Sequence, residues 1–374
     1  MISLFGGNKH FTAQEIHTTA RPNQNRNHGN FIFNVLDYGA TGDGTTNDAE
    51  VDGKIVAPLV KSEWEKLDSQ WILFEEVSHG ITIRGSGVIE GHGESWWSAK
   101  DINMKQTDRP HAIRIERGFN VTVTGIQIQN SPKFHIFIYG TQYLRIFNFS
   151  TSSPADSPNT DSIHISNVQH VEIHDSNLAC GNYPNTLYHW RTRAKQTEAQ
   201  VSDIAVFDST VQDTLTGVRI KTWQGGYGSV RDVRFSNIKT TNVKTPIAID
   251  QNYCGGSKIC NCTNDTNAVA ITGLVYENIT GTYTSTSVSL NCSEYEPCRN
   301  LTMAIINIVA SEGSMQVGDD KVGAPYCENA YGRVLTSTTP PLQDCLLPEA
   351  TVPPQAVGLS SHNSSDVTPL LPKF

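Results

Sequence analysis

Asp161, Arg219 and Lys221 are the residues whose types and spacing could do chemistry. Asp161 closes the run Ser157-Pro158-Asn159-Thr160-Asp161. A carboxylate there can act as a general base or simply cap a turn, as most Asn-Thr-Asp tripeptides do. Arg219 and Lys221 alternate across one residue, so on a strand both face the same side. Such a face is either a solvated strand surface or a grip for an anion, and the guanidinium fork of arginine matches a planar carboxylate. Acid–base work by two carboxyl groups would need a partner for Asp161. No Asp or Glu occurs between Asp175 and Glu198. Asp156, Asp175, Asp203 and Asp208 are nearby, and each suits a turn cap. His164 suits packing or hydrogen bonding better than catalysis.

The elements that must position these residues repeat along the chain. Short alternating β-branched segments recur, among them NVTVTGIQIQNS (120–131), HVEIHDSNL (170–178), DIAVFDSTV (203–211) and GLVYENITGT (273–282). Alternation predicts strands with one buried face, and the Asn, Ser, Thr or Gly at each end turns the chain. The first apolar residue of successive units falls at Val121, Leu144, Val171, Ile204, Val233, Leu274 and Met303, in steps of 23 to 41 residues. A period of this order predicts stacked coils. No leucine ladder and no 3.6-residue period is present, so a parallel β-helix is the expected fold. Each coil would bury a row of Val and Ile against its neighbours.

Charged residues make up 17% of the chain and the formal net charge is −9. Without a basic run, a nucleic-acid partner is not expected. A locally positive cleft can still hold a negative polymer. No apolar run is long enough to span a membrane. Eight cysteines, seven of them after residue 250, do not fit zinc spacing and predict disulfides. Eight Asn-x-Ser/Thr sequons, at Asn120, Asn148, Asn261, Asn264, Asn278, Asn291, Asn300 and Asn363, point the same way, to the secretory pathway. MISLFGGNKHFTAQEIH contains no signal peptide, so the expectation is a truncated start of a secreted protein. Residues 1–30 are expected to be a disordered leader, 31–347 a single domain, and 348–374 a loose Pro/Ser-rich tail.

FNVLDYGATGDGTTNDAE (33–50), GSGVIEGHGESWW (85–97), SPNTDSIHIS (157–166), GVRIKTWQGG (217–226) and PIAIDQNYC (246–254) occur in one order. In that order they resemble the plant-type polygalacturonases of glycoside hydrolase family 28, over roughly residues 31–335. The resemblance implies a right-handed parallel β-helix solenoid. It implies inverting hydrolysis of α-1,4-galacturonosyl links in pectin, without a cofactor or metal, by a secreted monomer of the cell wall. Inversion needs two carboxyl functions flanking the scissile bond with room for a water. By resemblance Asp161 is a water-activating carboxylate. Asn159, Arg219, Lys221 and Tyr253 are the substrate-binding residues, with Arg219 and Lys221 on the substrate carboxylate.

The sequence also departs from the family pattern. The Asp-Asp motif expected after Gly181 is replaced by NYPNTLYHWRTRAKQ (182–196), and the supporting Gly-His-Gly is missing. The GHG at 91–93 belongs to the early Trp-Trp element. The segment 182–196 lacks an alternating apolar row, so about one coil is missing. NDAE (47–50) runs straight into VDGKIVAP (51–58), where the family has an N-terminal cap. Two clean losses with intact flanks are what an internally deleted or mis-spliced member would show. The alternative to an enzyme is therefore a catalytically inactive, pectin-binding or defective member.

Overall fold

The computed structural model describes residues 2–6, 48–59, 70–97, 109–181, 199–253, 267–312 and 323–351. They form a right-handed parallel β-helix. Two parallel sheets run its length, one of nine strands and one of fifteen. A regular coil contributes one strand to the smaller sheet and then one or two to the larger, as in Ile163–Ser166, Gln169–His174 and Asn177–Ala179.

Rows of identical register build the core. On the smaller sheet Ile113, Ile136 and Ile163 align, as do Val218, Ile247 and Val288. All six are at most 1% exposed, so successive coils stack apolar faces with almost no loss to solvent. On the larger sheet Val121, Leu144, Val171, Ile204, Val233 and Leu274 align as the spacing predicts. The next member is Leu301; Met303 lies two residues further along and pairs with Tyr276.

Two rows of left-handed residues turn every coil. One runs Gly80, Asn120, Tyr143, His170, Asp203, Asp232, Gly273, Asn300. The other runs Gly85, Gly125, Asn148, Asp175, Asp208, Asn237, Asn278, Ile305. Gly, Asn and Asp dominate because they tolerate positive φ. Side chains bond along the second row: Asn237 Nδ2 donates to Asp208 Oδ1 at 2.7 Å, and Asn278 Nδ2 to Asn237 Oδ1 at 2.8 Å. The sequon residues Asn120, Asn148, Asn278 and Asn300 occupy these rows. Turn geometry thus accounts for their type without glycosylation.

The two sheets differ at the rung around residue 200. The larger sheet is continuous, because Gln169–His174 pairs directly with Ala199–Gln212, which pairs with Gly228–Val243. In chain order, the matching strand of the smaller sheet would come from residues 182–198, which lie outside those described. The place is taken by Ile2–Gly6, paired in parallel with Ile163–Ser166 on one side and Thr216–Trp223 on the other. Five residues of the segment expected to be a leader are therefore a strand. The rest of that segment, and the tail beyond Thr351, lie outside the described residues. Among the described residues the larger sheet ends at Asp48–Glu50 and Lys54–Val56, with no helix or strand beyond them.

Two disulfides are present, Cys292–Cys298 and Cys327–Cys345. Cys180 is a buried thiol, and Cys254, Cys260 and Cys262 lie outside the described residues. No helix of the described residues is long and apolar enough to cross a membrane.

Candidate active site

The outer face of the smaller sheet gathers the sequence-predicted residues. Asp161 sits at the entry to the Ile163–Ser166 strand and is 2% exposed. Its loop is pinned locally. Ser157 N donates to Pro154 O at 3.0 Å, the Ser157 and Thr160 hydroxyls bond at 2.6 Å, and Thr160 N donates to Gly181 O at 3.2 Å. Gly181 has to be glycine, because a Cβ there would lie 2.3 Å from Pro154 O and 2.5 Å from Ser157 O. Asn159 takes a left-handed conformation, φ +57°, at the tip of this loop.

Behind the loop lies His135, which is completely buried. Its backbone N–H donates to Asp161 O at 2.9 Å, and its ring Nδ1 lies 3.2 Å from the same oxygen. Its Nε2 bonds the Ser153 hydroxyl at 3.0 Å. Burial drives the pKa of His135 down to about 4, so the ring is neutral and can donate from Nδ1 while accepting at Nε2. The sequence reading passed over His135. Its signal is only visible in register, because it precedes the Ile136–Tyr139 strand as Ser162 precedes the Ile163–Ser166 strand.

Asp161 Oδ2 lies 3.6 Å from His164 Nδ1, and Oδ1 is buried without a hydrogen-bond partner. Burial raises the Asp161 pKa. The His164 imidazole and the Lys221 ammonium together outweigh it and hold the carboxyl below its ordinary value. Burial also lowers His164, against the pull of Asp161. At neutral pH the pair is a carboxylate beside a neutral imidazole. His164 also stacks on Phe134, ring centroids 4.3 Å apart, and on Phe137 at 5.4 Å, in a stack that continues to His111. Packing therefore accounts for its place.

Arg219 and Lys221 share one face of the Thr216–Trp223 strand, as their alternation predicts. Arg219 Nη2 donates to Asp250 Oδ2 at 2.7 Å. Lys221 Nζ stands 4.3 Å from the centre of the Tyr253 ring, and the Arg219 guanidinium 5.9 Å from it. Tyr253 is thus a platform for two cations, braced edge-on by Trp223 at 5.1 Å. Lys221 keeps some exposure to solvent, yet burial and the Arg219 charge bring its pKa down to about 8. Asp250, which aligns with Lys221 across the strands, went unnoticed in the sequence reading. Its tie to Arg219 appears only once the two coils are stacked.

Asp175, Asp203 and Asp208 fall in the turn rows of the larger sheet, away from this face. Gly91-His92-Gly93 forms the turn into the short Glu94–Trp97 helix, where a Cβ on Gly93 would strike Trp97 at 2.4 Å. It is structural, as the early Trp-Trp element requires.

In register, His164 aligns with Ser3 and Ser3 with Arg219, while Ser166 aligns with Phe5 and Phe5 with Lys221. The carboxylate side and the cation side of the site are therefore two strand spacings apart, about 9 to 10 Å between backbones.

Comparison with known proteins agrees with this architecture. The chain is 32% identical to a probable polygalacturonase of Arabidopsis thaliana over 318 residues, 78% of this chain and 69% of that one. It is 31% identical to a polygalacturonase of Persea americana, covering 71% of this chain and 62% of the relative. The chain thus spans only about three fifths to two thirds of these relatives' length. Among solved structures it resembles a polygalacturonase from Erwinia carotovora, with a TM-score of 0.56, 22% identity, and coverage of 77% and 83% of the two chains. It is similar too to the endo-xylogalacturonan hydrolase of Aspergillus tubingensis, with a TM-score of 0.56, 18% identity and coverage of 78% and 85%. Residues 39–182 and 192–325 match the sequence profile of the glycosyl hydrolases family 28, well over half of the chain. The fold, the relatives and this profile agree that the chain belongs to glycosyl hydrolases family 28.

Proposed function

We propose that this chain binds polygalacturonate along the outer face of the smaller sheet and hydrolyses its α-1,4-galacturonosyl links with inversion. The observation that carries this reading is the placement of an ionised, buried Asp161 opposite Arg219 and Lys221 on one face. Arg219 and Lys221 grip the uronate carboxylate, and Tyr253 holds both cations in place. Asn159, at the tip of the Asp161 loop, meets the sugar. Asp161, held below the ordinary carboxylate range, is a base rather than an acid at neutral pH, which suits activation of the attacking water. The protein acts outside the cell, at the cell wall, as a monomer, and two disulfides are consistent with an oxidising compartment.

The binding-only alternative rests on a separate observation. Inversion needs a second carboxyl function. The family's Asp-Asp pair has no counterpart in the sequence, and Asp250, the carboxylate beside Arg219, is tied to that guanidinium. One experiment separates the two. Release of reducing ends from polygalacturonate by the expressed chain, abolished by Asp161→Asn, establishes hydrolysis. Tight binding of oligogalacturonate with no reducing ends released establishes a pectin-binding protein.

A further inference from the structure

The smaller sheet contains a slot one strand wide. The larger sheet sets the rung spacing, because Gln169–His174, Ala199–Gln212 and Gly228–Val243 are consecutive neighbours there. The strands of the smaller sheet that flank this rung, Ile163–Ser166 and Thr216–Trp223, are thereby held two spacings apart. Left open, the slot would strand a row of backbone N–H and C=O groups on each flank and open the apolar interior to water.

Ile2–Gly6 fits the slot by its pairing and by its register. It pairs in parallel with both flanks along their length. Its apolar positions also fall in the apolar rows. Ile2 aligns with Ile163 and Val218, and Leu4 with Ile165 and Ile220, four residues at most 1% exposed. Ser3 lies in register between His164 and Arg219, and Phe5 between Ser166 and Lys221.

We propose that residues 2–6 are an intramolecular donor strand. They complete the smaller sheet out of chain order and supply the middle rung of the candidate site, between its carboxylate and its cations. The strand-addition mode is the one by which extended peptides extend sheets, here applied to an internal vacancy. The role of the rung in ligand binding rests on the polygalacturonate reading; the donor-strand assignment does not.

Hydrogen exchange on the full chain tests it, with residues 163–166 and 216–223 compared with residues 233–238 of the larger sheet. The substitutions Ile2→Asp and Leu4→Asp together should speed exchange of the two flanking strands roughly tenfold or more while 233–238 stay protected. Oligogalacturonate affinity should fall in parallel. A synthetic peptide of residues 1–8 added in excess should restore both. Should the doubly substituted chain fail to fold, Leu4→Ala serves in its place and must still speed the flanking strands more than 233–238. Unchanged exchange of the flanks in either variant overturns the proposal. So does a dimer in light scattering that the double substitution disperses, since the strand would then come from a second copy. If the parent chain binds no oligogalacturonate, the polygalacturonate reading fails while the exchange result still decides the donor strand.

Discussion

The two sheets solve the same rung differently. In the larger sheet the strand that follows Asn177–Ala179 in the coil order, Ala199–Gln212, drops into place, and each coil stacks on the one before it. In the smaller sheet the rung is filled by residues more than 150 positions away in the chain, Ile2–Gly6 against Ile163–Ser166. A near-neighbour stack needs short loops. The long-range pairing must also overcome the entropy of a far larger closure. The larger sheet is thus a local scaffold. The smaller sheet, which carries the candidate site, depends on that scaffold for its spacing and on a distant segment for its continuity.

The largest test of this contrast strikes the scaffold. Val206 is fully buried in register between Ile173 and Phe235. Val206→Asp places an unpaired charge there, at a cost of roughly 3 to 5 kcal/mol, a large part of a domain's whole stability. A lost or strongly shifted urea transition is expected, with Ile247 and Ile249 of the smaller sheet losing exchange protection at the same time. Independent unfolding of the two sheets would break the comparison.

Next in size is Arg219→Ala, which touches the site alone. It leaves Asp250 without its guanidinium and removes the fork from the proposed carboxylate grip. Oligogalacturonate affinity is expected to fall by about 2 kcal/mol, roughly thirtyfold, by calorimetry. The urea midpoint should move far less than in Val206→Asp.

A pH series sharpens the same point. Lys221 titrates at about 8 in the fold, below an ordinary lysine. Affinity for the anionic sugar should therefore decline as pH rises through 8, and Lys221→Arg, which stays charged, should flatten the decline. The sign for stability is opposite. Between about 8 and the ordinary lysine value the unfolded chain holds a proton that the folded chain has lost, so this residue's contribution to stability rises with pH across that window.

The smallest effect lies in the turn rows. Ile305 sits at φ +54° where its equivalents are Gly, Asn and Asp, and it is 48% exposed. A β-branched residue is poorly suited to that conformation. Ile305→Asn should stabilise by about 1 kcal/mol, seen as a higher urea midpoint with unchanged slope. It should leave ligand binding untouched.

Much of this protein was legible residue by residue. The coil rows from Val121 to Leu274 could be read because alternation and turn residues are local signals, and each coil repeats the last. Met303 was misplaced by two residues along its strand because Leu301 also fits the alternation and only the register with Leu274 decides between them. The sequons looked like compartment signals, yet four of them coincide with left-handed turn positions. Asp161, Arg219 and Lys221 were singled out through their motifs. His135 and Asp250 were not, since a lone His or Asp on a strand carries no sign of its partner in the neighbouring coil.

What the sequence determined by itself was the repeat, its inward rows and the motif residues, because each depends on contacts within a coil or between successive coils. What only the tertiary structure decided was who stands next to whom across coils: the neutral His135 behind Asp161, Asp250 on Arg219, and Tyr253 beneath two cations. It also decided that Ile2–Gly6 completes the sheet at residues that chain order would assign elsewhere. Pairing of this kind is set by a vacancy in the stack and by backbone groups that must find partners, and neither is written in any short stretch of the chain.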